Sequence, residues 1–260
     1  MLALLTRTAR LPPFELMALA FGVSGLGGLA WLAARGRLGL LRQGWLAWAH
    51  GVSGLFGFHA LYFASLSRAP AAAANLLNYT WPLMLVLLSG ALLGMRLGRR
   101  IWGGVALGGL GCAVLLGGGA AFPAGAWAGY LLAAASALVW ALYSALARRL
   151  AAVPSEAVIG FCAVTAVLAA VVHVAAEPWV APLALQWGAV VLMGAGPVGA
   201  AFLLWDIGMK RGDPRRLGTL AFATPILSTG LLVAAGEAPL TLALIAAAAL
   251  VTAGGWVSAS

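Results

Sequence analysis

Residues 75–86 read NLLNYTWPLMLV, two side-chain amides, a tyrosine, a tryptophan and a proline inside an otherwise apolar run. Asn75, Asn78, Tyr79 and Pro82 lie three or four residues apart, so on a helix they share one face. Two further stripes have the same spacing: Phe56, His59, Tyr62 and Phe63, and Ser136, Trp140, Tyr143 and Ser144. The chemistry such sets offer is binding. Asn75, Asn78 and His59 could hold the polar end of a small molecule, while Tyr79, Trp81 and Trp140 wall a flat apolar side chain. Packing is the competing account, because aromatic residues at helical spacing also build cores and interfacial belts. Pro82 lacks an N–H and clashes with the carbonyl four residues back, which takes the helical partner from Asn78; Pro225 does the same to Ala221.

Little else in the chain could react. Asp206, beside Trp205 and Lys210, is expected to pair with a basic loop residue. Glu15 and Glu156 stand at helix starts and read as caps at the positive end of the dipole. Glu177 and Glu237 fall at span ends, where they would meet solvent. The sequence has no metal-ligand spacing, phosphate-binding loop, nucleophile elbow or paired carboxylates, and His50, His59 and His173 are scattered. An enzyme, a bound metal, a cofactor and a nucleotide-driven pump are therefore not expected. Cys112 and Cys162 lie in apolar spans and read as packing residues.

Hydrophobic residues make up 63% of the 260 and charged residues 8%, too little charge for the surface of a soluble domain of this length. Apolar runs of about 20 residues, enough to cross the hydrocarbon layer as helices, recur along the chain. They are expected near 14–34, 44–66, 72–93, 100–117, 126–147, 157–175, 184–208, 217–235 and 239–258. The formal charge of +9 suggests nucleic acid only until its placement is read. Arg35, Arg37, Arg42, Arg96, Arg99, Arg100, Arg148, Arg149, Lys210, Arg211, Arg215 and Arg216 fall on one side of alternating loops. Arg7, Arg10 and Arg68 fall on the other. That is a positive-inside pattern, so the partners expected are lipid and a small-molecule substrate, with no nucleic acid.

The chain also repeats itself. ALYFASLSRAP at 60–70 resembles FLLWDIGMKRGDP at 202–214, and aligning Arg68 with Arg211 sets an offset of 143. The same offset carries Pro82 onto Pro225 and Gly111 onto Gly254. A duplication follows, with a first copy at 1–119 and a second at 120–260. Five spans per copy, an odd number, make the copies enter the membrane from opposite sides. The first helix of the first copy then falls largely before Met1, which leaves MLALLT as its tail. Matched broken helices in two copies point to a transport site at the bilayer midplane.

These residues resemble the drug/metabolite transporter superfamily in its EamA-type branch. The likeness rests on the spans holding Pro82 and Pro225, on the two related segments, and on Gly111 and Gly254. NYTWP at 78–82 and WALYSALARR at 140–149 resemble the bacterial aromatic amino acid exporters more narrowly. The resemblance implies an all-α membrane protein, an inverted repeat of two five-helix bundles. It implies a central cavity and export of amino acids by alternating access across a bacterial inner membrane. Candidate substrate contacts are then His59, Tyr62, Asn75, Asn78, Tyr79, Trp81, Trp140, Tyr143 and Trp205, with Pro82 and Pro225 as the helix breaks. Gly94 departs from the acidic residue common after the first proline, which Glu237 retains in the second copy. Export of drugs or other metabolites is the alternative in the same class, and a membrane scaffold is the alternative outside it. Gly-rich faces such as GGVALGGLG at 103–111 can pack within one chain or between two, and a monomer is the working expectation.

Overall fold

The computed structural model describes residues 2–93, 98–117, 126–211, 223–236 and 239–259. Among them every regular element is helical: α1 (Leu2–Ala9), α2 (Pro13–Ala34), α3 (Trp45–Leu66), α4 (Ala71–Asn78), α5 (Trp81–Leu93), α6 (Arg99–Gly117), α7 (Ala126–Ala147), α8 (Ala157–Ala176), α9 (Ala184–Ala195), α10 (Ala201–Arg211), α11 (Ala223–Ala234) and α12 (Leu242–Ala259). Five stretches are long and apolar enough to cross a membrane: Pro13–Ala34, Ala73–Leu92, Ala126–Leu150, Ala157–Ala176 and Ala184–Arg211. The other expected spans appear as α3, α6, α11 and α12. Gly94, Glu237 and Ala221 lie outside the described residues.

Two expected spans are interrupted. The run 72–93 splits into α4 and α5 at Tyr79 and Thr80, as its proline foretold. The run 184–208 continues to Arg211 but passes through a π-helical segment at Gly196–Ala200, which contains Pro197. A π segment opens the hydrogen-bond ladder and so accommodates a proline inside a helix.

The chain divides into two compact units, each built from both halves of the sequence. The first holds Met1–Phe63 and Leu146–Gly212; the second holds Ala64–Ala145 and Asp213–Ser260. Sequence halves and compact units therefore differ.

In the first unit α2 packs chiefly on α8. Small residues bring the two backbones close: a Cβ on Gly25 would stand 2.7 Å from the Ala163 Cα. Arg37, just past the end of α2, pairs with Glu156 at the start of α8 (2.9 Å), and Glu177 at the end of α8 meets the start of α2. The two helices are thus antiparallel. Gly36 ends α2 with φ +63, a left-handed conformation that glycine adopts without a Cβ penalty. The Gly36 amide donates to Ala33 O and the Arg37 amide to Leu32 O, the Schellman closure.

In the second unit α6 packs chiefly on α12. A Cβ on Gly111 would meet Ala247 O at 3.0 Å, and one on Gly254 would meet Gly104 O at 2.5 Å. The later part of α6 faces the earlier part of α12, and the reverse, so this pair is antiparallel too. The 143-residue offset relates the partners in each pair. It carries Arg99–Gly117 onto 242–260, against the observed Leu242–Ala259, and Pro13–Ala34 onto 156–177, against Ala157–Ala176.

Candidate functional site

The break between α4 and α5 organises the second unit's share of the candidate residues. The Tyr79 amide donates to Asn75 O (3.0 Å) and the Thr80 amide to Leu77 O (3.1 Å), closing α4. The Thr80 hydroxyl donates to the same Leu77 carbonyl at 2.8 Å. Pro82 then falls in the first turn of α5, where a missing N–H costs nothing. The Asn78 side-chain oxygen faces α7. The Ser136 hydroxyl of α7 donates to its Oδ1 at 2.8 Å and also lies 2.7 Å from Ala133 O. Trp81, next along the chain, stands edge-on to Trp140 of α7 (6.4 Å, 87°), and Trp140 stacks on Tyr143 (5.1 Å, 30°). Asn78, Trp81, Trp140 and Tyr143 are thus brought together and all buried, Asn75 is buried on α4, and Tyr79 is half-buried. Pro225 lies in α11, and its side chain is outside the described residues.

His59, Tyr62 and Trp205 belong to the first unit. His59 is completely buried, and its Nδ1 donates to Leu55 O at 2.8 Å. The neutral ring then carries its lone pair on Nε2, which has no partner. Phe21, Phe58, Phe63 and Phe202 present their rings to it at 4.7–5.5 Å, each near perpendicular. Tyr62 stacks on Phe58 (5.7 Å, 6°). His59 is therefore a polar acceptor inside an aromatic box. Trp205 is half-buried on α10.

The acidic residues correct the sequence reading. Glu15 stands in the first turn of α2 but caps nothing there; its Oε2 accepts the Val180 amide (3.1 Å) and the side chain is 1% exposed. Glu177, expected in solvent, is the true cap. Its carboxylate accepts the amides of Phe14 (3.0 and 3.2 Å) and Glu15 (3.2 Å) at the start of α2. Glu156 makes no cap bond and instead pairs with Arg37. Asp206 pairs as expected with a base, but with Lys210 one turn on in the same helix rather than in a loop (2.7 Å). Lys210 also donates to Val153 O (2.9 Å).

The EamA-like transporter family matches residues 2–117 and again residues 127–259. The chain belongs to the EamA-like transporter family. A protein named aromatic amino acid exporter YddG, from Ancylobacter novellus, is 50% identical over 255 residues, 96% of this chain and 89% of that one. A crystal structure is similar over 99% of this chain and 91% of its own, with a TM-score of 0.82 and 49% identity. As an EamA-like transporter with five stretches of spanning length, the protein is a multi-pass membrane protein with a repeated helical bundle.

Two features of this EamA-like transporter escaped the sequence reading. The π segment had a signal, since a Gly196–Pro197 pair with Gly199 close behind marks a helix interruption. The meeting of Glu15 with the i,i+4 pair His173 and Glu177 had none, because Glu15 lies 158 and 162 positions from them and is brought there only by the fold. The described residues offer buried amides, an imidazole and stacked rings, groups suited to binding rather than to bond making.

Proposed function

We propose that the protein exports amino acids, aromatic ones foremost, across a bacterial inner membrane by alternating access, and is not an enzyme. The observation that carries the reading is the Trp81–Trp140–Tyr143 ring cluster beside the buried Asn78 amide, in a chain half-identical over nearly its whole length to a protein named an aromatic amino acid exporter. Rings suit a flat side chain, and the amides suit its charged backbone groups. Asn75, Asn78, Tyr79, Trp81, Trp140 and Tyr143 are the proposed contacts in the second unit. His59, Tyr62 and Trp205 are further contacts in the first. Pro82 and Pro225 mark matched helix breaks, with residues 1–119 and 120–260 as the repeat copies. Antiparallel packing of repeat-related helices, α2 on α8 and α6 on α12, supports inversion of those copies.

The arginine-rich ends are proposed to be cytoplasmic, on the charge bias. Export of cationic drugs is less well supported, because Asp206, which could serve as a counter-charge, is already paired with Lys210. The test is efflux of labelled phenylalanine from proteoliposomes, with a panel of other amino acids as competitors. Selective competition by tryptophan and tyrosine supports the reading. Equal competition by lysine and glutamate, or no efflux above protein-free liposomes, defeats it.

A further inference from the structure

The start of α2 and the end of α8 meet through a buried group that the transport reading does not use. Glu177 caps α2 through the amides of Phe14 and Glu15, and Glu15 reaches back to the amide of Val180. His173 lies between the two carboxylates. Its Nδ1 is 3.1 Å from Glu177 Oε2, and its Nε2 is 3.9 Å from Glu15 Oε2. Trp179 closes one side edge-on to the imidazole (5.8 Å). The Gln186 side chain donates to Ala9 O (2.7 Å) and accepts the Leu183 amide (2.7 Å). Residues 177–186 are thus strapped to the junction of α1 and α2.

The charges do not balance. Among the described side chains no Lys or Arg pairs with either carboxylate. Arg10, just past the end of α1, is exposed, and the described ion pairs of the two carboxylates do not include it. Residues 178–183 carry no charge, α9 contributes only the neutral Gln186, and α2 has no other charged residue. From α3, the ring of Phe56 stacks on Phe14 (6.2 Å). Glu15 Oε1 is buried with no partner at all. Buried charge without compensation costs more than the hydrogen bonds around it return. A neutral imidazole has one N–H, so it can serve only one of two carboxylates; the imidazolium serves both.

We propose that Glu15, His173 and Glu177 form a proton-binding site, and that the bound proton holds the 177–186 strap to the start of α2. Gain of the proton turns the His173 imidazole into an imidazolium between two carboxylates. Its loss to water leaves a nitrogen lone pair facing a carboxylate, and the strap loosens. The site lies at the end of α2 and α8 opposite Arg35 and Arg37, so under the proposed topology it reads the pH outside the cell. It does not depend on which substrate is exported.

The test uses the full chain in nanodiscs, between pH about 5 and about 8, the range in which histidine changes charge. Nitrogen-15 spectra report the protonation of the three imidazoles, with His50 and His59 replaced singly to identify His173 by elimination. His173 is expected to be doubly protonated at the acid end and to lose one proton across the range. The wild-type melting temperature is expected to fall by about 2–4 °C from the acid to the alkaline end. Glu15→Gln, which keeps an acceptor for the Val180 amide but removes the charge, should flatten that slope. A Glu15→Gln slope equal to wild type overturns the proposal, as does a His173 ring that keeps one protonation state throughout. If Glu15→Gln does not fold, the His173 spectrum of the wild type decides alone.

Discussion

Trp81→Ala separates recognition from packing. The Trp81 side chain is 7% exposed and stands edge-on to Trp140 at 6.4 Å. A ring pair of this kind is worth about 0.5–1.5 kcal/mol. In a soluble core, removing a buried tryptophan costs about 3–5 kcal/mol, much of it transfer from water. Within lipid that transfer term is largely missing, because the surroundings of a separated helix are themselves apolar. The expected stability loss is therefore on the order of 1–2 kcal/mol, the ring pair plus an unfilled gap. Stability in detergent should fall accordingly rather than stay at the wild-type level. If the indole also stacks on substrate, phenylalanine efflux loses a second stacking term of similar size, about tenfold in rate for 1.4 kcal/mol. The assay is efflux of phenylalanine and of leucine from the same proteoliposomes, normalised to protein inserted. Their ratio is insensitive to the fraction of protein that folds. The phenylalanine-to-leucine ratio is expected to drop by about five- to tenfold. An unchanged ratio, whatever happens to the absolute rate, would show that Trp81 is a packing residue and refute the reasoning.

Three further outcomes follow from single contacts. Asn78→Leu should reduce efflux strongly while costing only about 1 kcal/mol in thermal unfolding, since the Ser136 hydroxyl keeps Ala133 O at 2.7 Å. Gly254→Ala should lower stability by about 1–3 kcal/mol, because its Cβ would stand 2.5 Å from the Gly104 carbonyl. Gly103→Ala is the control, since the nearest atom to its Cβ would be Val257 Cγ1 at 3.7 Å; equal melting temperatures for the two variants would contradict the close packing of α6 on α12. Lys210→Met should destabilise by about 3–5 kcal/mol by stranding the Asp206 carboxylate, and adding Asp206→Leu should recover part of the loss in a chemical-denaturation series.

What was legible in the sequence was what one segment states about itself. An apolar run with Pro82 in it announces a broken span, and the break indeed falls between Asn78 and Trp81. The break lies two residues ahead of the proline because proline is most comfortable in a helix's first turn, so the chain restarts there. Trp81 and Trp140 could be placed on stripes, but their meeting could not be read, because helical spacing gives a face and not the helix opposite it. The acidic residues show the same limit more sharply. Near a helix start, a carboxylate on the same segment is the economical cap, which is why Glu15 reads as one. The fold supplies Glu177 instead, from 162 positions away, and leaves Glu15 to accept the Val180 amide.

The repeat relates the helices of the two copies. The offset of 143 carries Trp81, the first residue of α5, onto Thr224, which lies in α11. It carries α3, Trp45–Leu66, onto 188–209, within the stretch 184–211 that holds α9, the π segment and α10. The correspondence fails at one point. Pro197 maps to Gly54, in the unbroken α3, so the second copy has an interruption that the first lacks. Duplicated segments start identical, and two helices that remain equivalent in packing need no difference in their ladders. A π segment in only one of them distinguishes the two: α3 is a continuous helix carrying His59 and Tyr62, whereas α9 and α10 are joined by a stretch with an opened ladder. The Gly194 and Gly199 backbones there approach α2 closely, where a Cβ would meet Ala20 O at 2.5 Å and Ser24 Oγ at 3.0 Å. A Cβ on Gly194 could not be accommodated without moving α2, and one on Gly199 would first meet the Gly194 carbonyl, so close packing accompanies the interruption in the second copy.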